Sequence, residues 1–358
     1  MRRLVLLFAA VAIVCAGQRK KDDELPTQAL ETLKDPPATV TVDPSRLVFR
    51  VAPLSTQGLL SQQIRGALKW LMKQDRGIVK LRAFVAGTGD IRRVQAIVSE
   101  MFTEKRLPLP ALTVIQAGAL PVPGAQVVME SIAADPKRLQ NPDGLAFISA
   151  IGPVVNRPLE PIRPLAEQAL AQLQDAVTAV SVQPVDILRV TCYVSSLDAA
   201  DYLRTRLAAT YGSAARNIVQ QTRDPVRTLV LCEAVGRVRK APREPVTISG
   251  ANAATAVVNI PRIVISGAQL AFGSEDSDFR LAFDRIGKAL EQAGSTQDNV
   301  FVLNTYPLSW ALADRIRKVR TELPRKDAPP AGTTLVCEGL PSIDASFAVE
   351  VMAALTGK

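Results

Sequence analysis

The chain has no histidine in its 358 residues, and only 4% of it is aromatic. Without histidine there is no Ser-His-Asp triad, no Cys-His pair, no HExxH zinc site and no imidazole proton shuttle. Any chemistry must run on Arg, Lys, Glu, Asp, Tyr, Ser or Cys. Cysteine is scarce too: Cys15, Cys192, Cys232 and Cys337 form no CxxC pair and no ligand cluster, so no metal site is expected. Long apolar runs are missing. Leu4 to Val14 spans 11 residues, too few to cross a bilayer, and no later run is long enough. The positive residues are scattered and do not alternate with aromatic rings, so no nucleic-acid footprint is expected. No cofactor motif is present.

What remains is an ordinary globular composition, 47% hydrophobic and 22% charged, at a length that suits two or three domains. Arg2-Arg3, the apolar stretch behind them and the small residues up to Ala16 read as a secretory signal over residues 1–16. The protein is therefore expected to be exported, to a periplasm or beyond. Cleavage removes Arg2 and Arg3 and no acid, which takes the formal net charge from +9 to +7. The three cysteines left in the mature chain sit in apolar, strand-like runs. An odd number permits at most one internal disulfide. Whether Cys192 and Cys232 are joined, or all three are buried thiols, stays open at this point.

One order of patterns recurs three times. Each segment opens with a short apolar strand: Leu47 to Val51, Leu145 to Ile151, and Arg262 to Gln269. An amphipathic helix follows, with apolar residues such as Leu60, Ile64 and Leu68, or Phe279, Phe283 and Ile286, on one face. A second strand then alternates its side chains: Val79 to Val85, Leu188 to Val194, Val300 to Tyr306. Asp90, Asp198 and Ser309 are placed to cap a second helix. Two further strands, read as hairpin-like pairs, close each segment: Leu112 to Ala117 with Gln126 to Ile132, Asn217 to Thr222 with Arg227 to Val235, and Thr333 to Glu338 with Phe347 to Met352. Val79 lies 109 positions before Leu188, which lies 112 before Val300. Turn and charge signals divide the chain into an N-terminal arm at 17–44 and three units at 45–135, 144–238 and 250–356.

The third unit resembles the Rid family, also called YjgF or L-PSP endoribonuclease-like. Ile263-Val-Ile-Ser-Gly-Ala-Gln269 is similar to the family's "VSGQ" strand. Ala289-Leu-Glu-Gln-Ala-Gly294, Asp298-Asn-Val-Phe-Val-Leu303, Pro329-Pro-Ala331 and Phe347-Ala-Val-Glu-Val351 match the segments that follow it. Asp186 to Val194 and Ala215-Arg216 carry the likeness in the second unit, and the first is the most diverged. The resemblance implies an α+β fold: three chorismate-mutase-like β-α-β-α-β-β domains closing into an intramolecular pseudo-trimer, with ligand clefts between neighbours. It also implies a chemistry that needs no histidine, metal or cofactor. Family deaminases hydrolyse enamines and imines with an arginine that grips the substrate carboxylate and a glutamate that helps place water.

By that resemblance the arginine is Arg216, with Leu112 and Gly332 at the matching places, and the glutamates are Glu130, Glu233 and Glu350. Arg216 with Glu233 form the one complete candidate catalytic pair. Ser149, Ser266, Gly267, Glu130 and Glu350 are the candidate ligand-binding residues; Arg50 replaces the small polar residue in the first unit. The family's "GPYSQ" cleft segment is absent from all three units. Two readings follow. One is an exported, diverged binding protein that takes a small anionic metabolite, such as a carboxylate, at a cleft between units without efficient catalysis. The other is an imine or enamine deaminase working at one surviving cleft around Arg216.

Overall fold

The computed structural model describes residues 33–87, 89–250, 254–320 and 329–355; residues 1–16, read above as a secretory signal, and residues 17–32 of the arm lie outside them. The described chain opens with β1 (Thr39–Val42). The first segment then runs β2 (Leu47–Val51), α1 (Leu60–Gln74), β3 (Ile78–Ala86), α2 (Arg92–Glu104), β4 (Ala111–Ala117) and β5 (Val127–Ala134). The second is β6 (Leu145–Ile151), the two-residue β7 (Val154–Val155), α3 (Ile162–Ala179), β8 (Ile187–Val194), α4 (Ala200–Thr210), β9 (Ala215–Gln220) and β10 (Thr228–Arg237). After β11 (Val246–Ser249) and β12 (Thr255–Val258), the third is β13 (Ile263–Ser266), β14 (Gln269–Phe272), α5 (Asp276–Gln292), β15 (Val300–Pro307), α6 (Trp310–Arg320) and β16 (Ala345–Ala354). The chain is mixed α+β, and none of its described helices is long and apolar enough to cross a membrane.

Residue type explains some of these boundaries. Ser309 caps α6, accepting from the backbone N–H of Leu312 at 3.2 Å, and Asp90 accepts from Arg92 N at 3.1 Å ahead of α2. In the second segment Ser196 instead caps a short 3-10 turn, Leu197–Ala199, that leads into α4, accepting from Asp198 N at 3.2 Å. Strand alternation sorts the side chains onto two faces. On β3, Leu81, Ala83 and Val85 meet the buried faces of α1 and α2, while Lys80, Arg82, Phe84 and Ala86 take the opposite face.

The closing strands pair differently from hairpins. β4 lies parallel to β3, and β9 parallel to β8. The closing strands β5, β10 and β16 take the middle of their sheets, antiparallel to the first and second strands on either side. The physical reason is burial: β5 is buried at Val127 through Ala133 and supports a ladder on both edges. Residues 331–335 follow the same parallel path beside β15 through bridges at Ala331 and Thr334, without forming a continuous strand.

The connecting segments also hold strands that their polar, proline-bearing sequence did not signal. β1, from the arm, adds to the edge of β13. The linker after β10 folds into the β11–β12 hairpin, and β12 adds to the edge of β6. The corresponding connection before β6 is short. It ties to the first segment through the Asn141 amide, which donates to the carbonyls of Pro44 (3.2 Å) and Leu47 (2.9 Å).

Each sheet packs its helices on one face, giving three separate apolar cores. The other faces meet one another. Phe84, Tyr193 and Tyr306, two residues beyond equivalent positions of β3, β8 and β15, share one internal cluster with Ile115, Val219 and Leu335. Phe49, Phe147, Ile265, Phe301 and their neighbours form a second. Cys192 and Cys232 face each other across β8 and β10 and are joined, so the odd thiol is the buried Cys337. A cross-link over a 40-residue separation stabilises by about 4 kcal/mol through the chain entropy it removes from the unfolded state.

Candidate functional site

Charged side chains lie between the two internal apolar clusters. The three glutamates singled out by the sequence occupy equivalent places on β5, β10 and β16, opposite Arg82, Thr191 and Asn304 of the adjacent strands. Their inward direction follows from strand parity, and it brings all three carboxylates, each less than 7% exposed, into one buried layer.

Each carboxylate is held by more than its own segment. The Arg82 guanidinium donates to Glu130 Oε2 from Nε at 2.8 Å and from Nη2 at 2.6 Å; Nη2 also reaches Glu233 Oε1 at 2.5 Å. Arg189 lies between the same two acids, at 3.6 Å from Glu130 and 3.4 Å from Glu233. Lys80 donates to Glu350 at 2.6 Å, to Thr113 Oγ1 at 2.7 Å and to the Ser266 carbonyl at 2.7 Å. Three equivalent edge positions complete the set in rotation. Asn217 of β9 donates to Glu130 at 2.8 Å, Thr333 to Glu233 at 2.5 Å, and Thr113 of β4 to Glu350. Thr191 adds a bond to Glu130 at 2.6 Å, and Asn304 and Tyr306 bond Glu350 at 3.0 and 2.6 Å.

The formal charges balance: three carboxylates against Lys80, Arg82 and Arg189. Burial alone would raise the Glu130 carboxyl, but Arg82, Arg189 and the bonds from Thr191 and Asn217 overcome it and bring it down to about 2. Glu350 likewise lies well below the usual carboxylate range: burial opposes, and Lys80 and Arg82 prevail. Burial lowers Lys80 against the pull of Glu350. The Tyr306 hydroxyl is pushed well up, first by burial and then by Glu350. All three carboxylates therefore have their cations and hydrogen-bond donors within the protein, and the layer lies beneath apolar side chains on both sides.

The remaining sequence-predicted residues lie elsewhere. Arg216 is not brought to Glu233. It is exposed at the start of β9, where its Nη1 donates to the carbonyls of Tyr211 (3.0 Å) and Gly212 (2.7 Å) at the end of α4. The next residue, Asn217, is the one whose parity points it at a carboxylate. The expected Arg216–Glu233 pair is thus replaced by a capping contact and a structural acid. Ser149 donates to the Ala254 carbonyl at 2.5 Å and accepts from Gly332 N at 2.8 Å, joining the second segment to the third. Ser266 Oγ accepts from Val351 N at 2.8 Å. Gly267 packs against the first segment: a Cβ there would stand 3.0 Å from the Leu112 carbonyl oxygen. Arg50, at the third such position, pairs with Asp75 at 2.5 Å.

A cavity of about 130 Å³ opens beside Gly267, between Leu112 and Val114 of β4, Gln95 of α2, Leu270 of β14 and Pro37 of the arm. Its lining has no lysine or arginine, which does not suit the anionic ligand expected from the sequence. The sequence reading missed Lys80, Arg82 and Arg189. Alternation in Val79-Lys-Leu-Arg-Ala-Phe-Val85 puts Lys80 and Arg82 opposite Leu81, Ala83 and Val85, the face a single sheet leaves to solvent, and only Phe84 on that same face signals that it is covered.

Solved structures similar to this chain include members of the YjgF and Rid families. A YjgF/YER057c/UK114 family member from Mycobacterium tuberculosis is 21% identical and aligns over 27% of this chain and 81% of its own, with a TM-score of 0.25. A YjgF family protein from Neisseria meningitidis is 12% identical over 27% of this chain and 82% of its own, with a TM-score of 0.25. A Rid family protein from Yersinia pestis is 19% identical over 26% and 79%, with a TM-score of 0.24. No family model and no curated protein matches the sequence.

Proposed function

We propose that the chain is an exported, diverged Rid-like binding protein that does not catalyse imine hydrolysis. In this reading the units at 45–135, 144–238 and 250–356 are diverged copies closed into an intramolecular trimer. Covalent linkage makes their assembly independent of concentration. It also lets three once-equivalent interfaces drift apart.

The observation that carries this reading is the saturation of Glu130, Glu233 and Glu350. A glutamate that places hydrolytic water needs a free oxygen facing a substrate. Here the acids are paired with cations and with Asn217, Thr333 and Thr113. Carboxylates at the family's hydrolytic position hold the segments together instead. Arg216, committed to two backbone carbonyls, offers no carboxylate fork beside them. The Cys192–Cys232 disulfide supports an oxidising compartment, in keeping with the signal-like N-terminus. The cavity beside Gly267 is the ligand site we assign. Its proline-rich walls carry no charged side chain, and their polar side chains, Gln95 and Gln269, favour a small uncharged molecule.

Short-lived imino acids generated in the presence of the purified protein should release ammonia no faster than in buffer. Release above buffer that Arg216→Ala abolishes would overturn the reading in favour of a deaminase. Ala268→Leu, which fills the cavity, should abolish the thermal stabilisation given by uncharged ligands found in a screen.

A further inference from the structure

The two ends of the strands carry different charge. The starts of β2 and β3 lie beside the end of β5, where Leu47 faces Ala134 and Ile78 faces Ala133. The start of β6 faces Arg237 of β10 and Val258 of β12, and the start of β13 faces Val42 of β1 and Ala354 of β16. Since β1 leads directly into β2, and β12 into β13, all three segments start their strands at one end of the molecule. The described connections gathered there are residues 43–46, 75–77, 105–110, 135–144, 180–186, 211–214, 238–245, 259–262 and 293–299. They hold ten Lys or Arg against seven Asp or Glu. The described connections at the opposite end are 52–59, 89–91, 118–126, 152–161, 195–199, 221–227, 273–275, 308–309 and 338–344, and they hold three against seven.

Pairing sharpens the contrast. At the strand-start end Arg46 pairs with Asp43, Arg239 with Asp186, and Asp75 with Arg50, while Asp135 accepts from the backbone N–H groups of Lys137 and Arg138. The side chains of Lys105, Arg106, Lys137, Arg138, Lys240 and Arg243 are exposed and make no ion pair among the described residues, and the same holds for Arg76 and Arg262. Only Asp143, Glu244 and Asp298 stand against them unpaired. Leu139, beside Lys137 and Arg138, is 56% exposed, and Val185 at the same end is 64% exposed. The rings flanking these connections, Phe49, Phe102, Phe147, Tyr211 and Phe301, are buried, so they offer no platform for stacking bases. The opposite end exposes apolar side chains too, Leu159 and Ile343 among them, but among an excess of acids that an anionic surface would repel.

We propose that the strand-start end is a docking face for an anionic phospholipid surface, with the Lys137-Arg138-Leu139 loop at its centre. Unpaired cations concentrated on one end are drawn to a negative bilayer and orient the molecule on it, while Leu139 enters the headgroup layer. This face is separate from the cavity beside Gly267 and does not depend on what that cavity holds.

The test uses the chain from Gly17 onward, which keeps the compact unit Leu33–Lys358 and omits the apolar Leu4–Val14 that would enter vesicles by itself. It should co-sediment with vesicles of phosphatidylglycerol and phosphatidylcholine, much less with phosphatidylcholine alone, and should be released by high salt. Near an anionic membrane each basic side chain contributes about fivefold in affinity, so Lys137→Ser with Arg138→Ser should weaken binding about 30-fold. Leu139→Ser should weaken it about tenfold at unchanged salt dependence. Arg157→Ser, at the opposite end, should leave it unchanged. The melting temperature of each variant shows that it is folded. Equal binding to both kinds of vesicle, no binding to either, or an equal loss from Arg157→Ser would overturn the proposal. So would tighter binding to single-stranded nucleic acid than to the vesicles.

Discussion

The first and third segments place the same backbone around the buried layer but fill it with opposite chemistry. Opposite its glutamate the first carries Arg82, with Lys80 two residues before; the third carries Asn304 there, with Val302 two residues before. A ring made of three first segments would face three carboxylates with six cations. A ring of three third segments would bury three carboxylates with no cation. The first and third segments together bring two cations to two carboxylates, and Arg189 of the second segment matches its own Glu233, so the mixed set is neutral. Burying unmatched charge costs several kcal/mol per ion, so the first and third segments depend on each other. Fold equivalence therefore does not imply functional equivalence: positions that correspond in backbone have become complementary in charge.

The most direct way to break this complementarity is to take away the shared cation. Arg82→Met should strand Glu130 and Glu233 and cost about 3–5 kcal/mol in denaturant unfolding. A loss under about 1 kcal/mol would mean that Arg189 alone balances both acids. The contact between first and third segments is next. Lys80→Met should cost about 3 kcal/mol, and combining it with Glu350→Gln should recover most of that loss. Strictly additive costs would show that Lys80 and Glu350 are not coupled.

Acid should act on the same layer. The folded Glu130 carboxyl, at about 2, lies below its ordinary value of 4.5, so its stabilisation is complete above about pH 5. It is lost as pH falls toward 2, where both states become protonated, and is worth about 3 kcal/mol. Glu350, lowered as well, pushes stability in the same direction. Unfolding free energy that stays flat between pH 5 and 2.5 would contradict the ion pairing (values on the scale of the Glu130 shift).

The smallest effect separates two equivalent tyrosines. Tyr306 donates to Glu350 at 2.6 Å, whereas the buried Tyr193 hydroxyl has no partner among the described residues. Tyr306→Phe should cost about 1–2 kcal/mol, and Tyr193→Phe should be neutral within about 0.5 kcal/mol or stabilising. Equal costs would mean that the Tyr193 hydroxyl also finds a partner.

Much of the framework was legible. Helix periodicity in Leu60 to Leu71 and Phe279 to Leu290, and strand alternation around Val79, Leu188 and Val300, place elements that are present in the structure. Glu130, Glu233 and Glu350 were picked out by the family resemblance of the closing strands. What alternation could not tell was pairing. Ala111 to Ala117 has the same residue pattern whether it joins β5 as a hairpin or lies parallel to β3. β1 and β12 are four-residue strands, too short to register above their polar surroundings. Arg216 and Asn217 are neighbours, and in a strand one position exchanges the faces, so Asn217 meets Glu130 while the arginine lies outside the buried layer.

By itself the sequence determined what chemistry was excluded, since a chain without histidine has no imidazole in any fold. It also determined the recurring order of elements, because apolar spacing is a local property. Only the tertiary structure decided what the charged residues do. Lys80 and Glu350 are 270 positions apart, and no local pattern specifies that they meet. Side-chain period assigns a residue to a face. Which face it then meets, and whether a carboxylate there finds water, substrate or a cation, depends on how three sheets close on one another.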